Sequence, residues 1–85
     1  FGPGDFAHRI GRLGQIGHAE VFAAMERVSA ACKAHGKFWG TLGIGRDHYL
    51  KVKSLGALLI CPGGDVRTLS LGLRELARTF QEPAP

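Results

Sequence analysis

Eighty-five residues allow one small domain, and a chain of that size buries only roughly 60–65% of its unfolded surface, so its stability alone is marginal. A composition of 45% hydrophobic and 21% charged residues excludes a disordered chain, and the net charge of +4 is spread without any run of like charges or aromatic platform, which argues against a nucleic-acid partner and for a mildly basic surface. Cys32 and Cys61 have no zinc-type spacing and read as reduced, buried thiols, and no stretch reaches the roughly 18 apolar residues of a membrane span.

The chain opens Phe1-Gly2-Pro3-Gly4-Asp5-Phe6 with no initiator Met. We read this as the exit of a strand whose first part is missing, turning through Gly-Pro-Gly to deliver one carboxylate, with His8 in the loop that follows. The segment from about His18 to His35 places Val21, Met25, Val28 and Cys32 on one stripe, with Ala24 and Ala31 beside it. That spacing predicts a helix with one buried face. Glu20 in its first turn and Lys33 and His35 in its last suit the helix dipole, and Gly36 is the expected left-handed cap.

Lys37 to Gly43 is a short apolar run with two glycines, read as a strand with close backbone approach near its end. A second helix is expected from about Arg46 to Leu55, with Asp47 as candidate cap and Gly56 as terminator. Ala57 to Cys61, with no polar alternation, predicts a strand covered on both faces. A third helix is expected from about Val66 to Phe80, with Asp65 as N-cap, a stripe of Val66, Leu69, Leu73, Leu76 and Phe80, and Pro83 and Pro85 closing the chain.

The order strand end, helix, strand, helix, strand, helix argues for parallel strands joined by right-handed crossovers. Two strands and a stub leave open sheet edges and unmatched helix faces, so more chain or other subunits are expected to complete the fold. In parallel α/β folds the C-terminal ends of the strands carry the active site. The Gly2–Asp5, Gly43–Gly45 and Pro62–Asp65 turns are therefore expected on one rim.

On that rim Gly4 permits close backbone approach, adjacent N–H groups can bind an anion, and Asp5 offers a hard oxygen to Mg²⁺ or Mn²⁺. The alternative is an Asp that only caps its own turn. For Asp65 the helix-capping role is sufficient. His8, His18, His35 and His48 make no metal set, no Gly-Lys-Ser/Thr follows the second glycine pair, and no Gly-x-Ser-x-Gly elbow is present.

Taken together, "FGPGDF", "RLGQIGHAEVFAAMERVSAACKAHGK" and "ALLICPGGDVRTLSLGLRELARTF" resemble the C-terminal part of the HpcH/HpaI aldolase family, which is also grouped with citrate lyase-like proteins. The specific marks are the Gly-Pro-x-Asp opening, the "LGQIGHAEV" loop into a helix, and Lys53-Ser54-Leu55-Gly56-Ala57 leading into the last strand. The resemblance implies an α/β fold in which residues 1–85 are the last three units of a (β/α)₈ TIM barrel, a fold of typically about 250 residues.

It also implies that Asp5 binds a divalent metal (Mg²⁺, Mn²⁺ or Co²⁺), and that the backbone N–H groups of Gly4 and Asp5 hold the carboxylate of pyruvate. A metal-binding Glu, an enolate-stabilising Arg and a proton-transfer His would lie outside this chain, and His8, Arg9 and His18 do not replace them. The implied reaction is aldol cleavage of a 4-hydroxy-2-oxo acid to pyruvate and an aldehyde, with this piece inactive alone. "CPGGD" departs from the common single Gly-x-Asp and leaves the aldehyde specificity, a decarboxylase and a bond-forming variant open.

The resemblance further implies a cytoplasmic homo-oligomer, commonly a hexamer with the last helix exchanged between subunits, and a small-molecule 2-oxo acid as partner, with no nucleic acid or membrane. The alternative from another class is a non-catalytic small α/β binding or interaction module.

Overall fold

In the computed structural model, which describes residues 1–81, four helices and two short strands follow one another as α1 (Pro3–Arg9), α2 (Ala19–Ala34), β1 (Gly40–Leu42), α3 (Arg46–Ser54), β2 (Leu59–Cys61) and α4 (Asp65–Thr79). The expected closing prolines, Pro83 and Pro85, lie outside the described residues. β1 and β2 pair in parallel, with Gly40 opposite Leu59, Thr41 opposite Ile60 and Leu42 opposite Cys61. Phe1 is bonded to β1 without joining the two-stranded sheet. Its amino group donates to Gly40 O at 2.8 Å, and its carbonyl accepts from Thr41 Oγ1 at 3.0 Å.

One expectation fails at the opening stretch. Gly2 to Arg9 is not an open turn leading into a loop: Gly2 is the N-cap and Pro3–Arg9 is helical, so His8 sits in a helix. The physical reasons are local. Pro3 has no N–H to leave unpaired at the first helical position, Asp5 in the first turn suits the dipole, and Ala7 is fully buried while Phe6 and Ile10 pack beside it.

The stripe expected on α2 is the one that packs. Val21 and Met25 are fully buried, and Val28 and Cys32 are partly buried against them. His18 and His35 are its flanking caps, and Gly36 takes φ 66° as the chain leaves the helix. Gly56 takes φ 103° after α3, close to the side chains of Ser29 and Trp39, so this crossover has no room for a β-carbon. Two capping expectations shift by a residue or two. Gly45, not Asp47, is the N-cap of α3, and Gly64 precedes α4 while Asp65 is its first residue.

The sheet is covered on one face only. Thr41 is buried and Ile60 is partly buried, on the side where α3 packs across both strands. The opposite side, with Leu42, Leu59 and Cys61, is open, so the two-sided coverage expected for Ala57 to Cys61 is absent among the described residues. The α4 stripe is likewise unpacked: Val66, Leu69, Leu73, Leu76 and Phe80 are 57–80% exposed. The molecule measures 62 × 27 × 19 Å with a radius of gyration of 16.7 Å, against about 12 Å for a compact chain of this length.

The remaining core is small: Ala7, Val21, Met25, Trp39, Val52 and Ala57. In the full-length protein, Met25→Ala is expected to cost about 2–5 kcal/mol, read from the denaturation midpoint. Gly40→Ala should also destabilise, by about 1–3 kcal/mol, because its β-carbon would stand 2.6 Å from Leu59 O and 2.9 Å from Leu59 Cβ. Unchanged midpoints would contradict this packing.

Candidate active site at the strand ends

The turns that follow the sheet supply the chemistry-bearing groups. Gly43 N donates to Cys61 O at 2.8 Å, so the ends of β1 and β2 stay tied together just before their loops diverge. A β-carbon at Gly43 would stand 2.6 Å from Ile60 Cγ2 and 3.1 Å from Tyr49 Cα. The missing side chain is what lets α3 begin directly over the sheet.

Asp5 is the third residue of α1, and its carboxylate folds back toward the N-cap: a β-carbon on Gly2 would lie 3.5 Å from Asp5 Oδ2. The residue is exposed, and among the described residues no hydrogen bond or ion pair takes its carboxylate. The N–H groups of Gly4 and Asp5 belong to the first turn of a helix, where no intrahelical carbonyl is available to them. Nothing lies within 4 Å of where a Gly4 side chain would begin, so a ligand can approach the backbone there. Gly4 and Asp5 are therefore placed together, as two donors beside one free carboxylate.

The site stops there. No group of three or more His, Cys, Asp or Glu that could hold a metal exists among the described residues. Asp5 fits a hard divalent cation as a single oxygen ligand, and six or more are usual for Mg²⁺-type ions, with water among them. Asp65, the counterpart in the second glycine turn, is used differently. Its Oδ1 accepts from Val66 N at 2.8 Å, a local helix-start contact.

Two histidines have roles that the sequence did not suggest. His18 caps α2 through Nδ1, which accepts from Glu20 N at 3.1 Å. His48, in the first turn of α3, reaches back to accept from Ile44 N at 3.0 Å through Nδ1. Its Nε2 is buried without a partner, and its ring stands 5.8 Å from that of Phe22. Histidine is not among the preferred capping residues, so spacing rules gave no signal for either. The one ion pair near the loop before α2, Arg12 with Glu20 at 3.4 Å, is exposed on both sides.

No family model matches the chain. The 5-keto-4-deoxy-D-glucarate aldolases of Salmonella arizonae and Salmonella paratyphi C are 32% and 31% identical to it over 81 residues, covering 95% of this chain and 32% of each relative. The backbone superposes on an HpcH/HpaI aldolase of Desulfitobacterium hafniense with TM-score 0.82 and 26% identity, covering 99% of this chain and 33% of that one. A HpcH/HpaI aldolase/citrate lyase family protein of Burkholderia cenocepacia gives TM-score 0.80 and 32% identity, covering 95% and 32%. The chain thus spans about a third of the length of the proteins it matches. The architecture is that of part of a TIM-barrel aldolase. Over almost its whole length the chain is similar, in sequence and in backbone, to about a third of an HpcH/HpaI aldolase family protein.

Proposed function

We propose that residues 1–85 form the C-terminal three βα units of a single (β/α)₈ aldolase domain. The complete protein then cleaves a 4-hydroxy-2-oxo acid into pyruvate and an aldehyde. The observation that carries this reading is the pairing of a free Asp5 carboxylate with the unpaired N–H groups of Gly4 and Asp5 at the start of α1. An aldolase of this kind must hold the substrate carboxylate and anchor a cation beside the neighbouring keto group. One short segment offers a group for each task.

When bound, a divalent metal (Mg²⁺, Mn²⁺ or Co²⁺) supplies Lewis acidity toward the 2-oxo group. The Asp5 carboxylate is its ligand from this chain. The Gly4 and Asp5 amides orient the substrate carboxylate, and the absence of a Gly4 side chain keeps that approach open. The names of the Salmonella relatives, which describe aldolases acting on a keto-deoxy sugar acid, support the reaction class.

The exposed α4 stripe supports burial against further protein, in the same barrel or in a neighbouring copy of a homo-oligomer. Free Cys32 and Cys61 suit a reducing cytoplasm. Among the described residues no helix is long and apolar enough to cross a membrane.

Loss of groups that only orient a metal ligand costs about 10–100-fold, so in the full-length protein Asp5→Ala should lower metal-dependent pyruvate release by at least about 100-fold. Near-normal turnover and Mn²⁺ affinity in that variant would remove Asp5 from the site. The purified 85-residue chain should release no pyruvate with any of the three metals, because its described residues bring no second ligand to Asp5. Measurable metal-dependent release by the isolated chain would contradict that division of the site.

A further inference from the structure

We infer that His48 is a proton-sensitive latch on the rim loop between β1 and α3. The loop, Gly43–Gly45, runs from the end of β1 to the N-cap of α3. Its central residue, Ile44, has one side-chain hydrogen bond, from its backbone N–H to His48 Nδ1 at 3.0 Å. An imidazole nitrogen accepts only when it carries no proton. The bond therefore requires neutral His48 with its proton on Nε2.

That second nitrogen is buried and has no partner. Among the described residues no hydrogen bond or ion pair joins a carboxylate to the ring. The element packed on His48 from α2 presents the Phe22 ring, and the cation nearest that ring is Lys51, whose Nζ is 5.5 Å from its centroid. On α3 itself Asp47 and Tyr49 flank His48 in sequence, and both are exposed.

Adding a proton to Nδ1 sets one N–H against another, and the Ile44 bond is lost. The latch is therefore closed while the ring is neutral and opens when Nδ1 takes a proton. The glycines on either side of Ile44 give the loop the freedom to move once released. The inference concerns a rim loop other than the one holding Asp5, and it does not depend on the reaction proposed above.

The test is amide exchange and ring ¹⁵N NMR on the full-length protein, with His48→Asn as the conservative variant. Asn Oδ1 stands in for Nδ1 as acceptor and does not titrate. In the wild type, the Ile44 protection factor should fall at least about tenfold as pH is lowered, in step with protonation of His48 read from its ring signals. In His48→Asn it should stay level. A flat wild-type profile, an equal fall in the variant, or a neutral wild-type ring protonated at Nδ1 would each overturn the latch. The wild-type measurements decide the matter even where the variant does not fold.

Discussion

Everything in this molecule depends on a parallel strand pair that is covered on one side. Parallel sheets persist where both faces are shielded, and here one face, through Thr41 and Ile60, is packed under a helix while the other, through Leu42, Leu59 and Cys61, is bare. In an eight-stranded barrel such a pair has helices outside and layered side chains within. The bare face is then the interior layer and the packed face the outer one. The exposed α4 stripe and the elongated shape follow from the same incompleteness: there is too little other surface to bury them.

Periodicity makes the helices legible. Val21, Met25, Val28 and Cys32 recur every third or fourth position over about three turns, a period that fits a helix and not a strand, and the packing of α2 follows that stripe. The strands are legible in place but not in length: the paired segments are Gly40–Leu42 and Leu59–Cys61, with one further cross-strand hydrogen bond at each end, Leu58 N to Trp39 O and Gly43 N to Cys61 O. The opening stretch misleads for a physical reason. Gly-Pro-Gly signals a turn when weighed by residue type, yet Pro at the first helical position and Asp in the first turn also start a helix. What decides between them is the burial of Pro3 and Ala7, a tertiary fact.

The site is legible in part as well. Gly4 and Asp5 are adjacent, so sequence alone pairs a donor with a carboxylate. What residue type does not show is that the carboxylate is free, whereas the similar Asp65 is bound to its own helix start. The capping roles of His18 and His48 are invisible in the sequence because they rest on ring orientation and not on a spacing rule. On the proposed function, the described residues supply one contribution to the site, Gly4 and Asp5, and no further cluster of potential metal ligands beside it.

The most direct test is an experimental structure of the full-length protein with Mn²⁺ and pyruvate. The account predicts an Asp5 carboxylate oxygen at about 2.0–2.2 Å from the metal, within the range of first-row and Mg²⁺-type carboxylate ligation, and the pyruvate carboxylate on the Gly4 and Asp5 amides. A metal bound elsewhere, with Asp5 facing solvent, would contradict it.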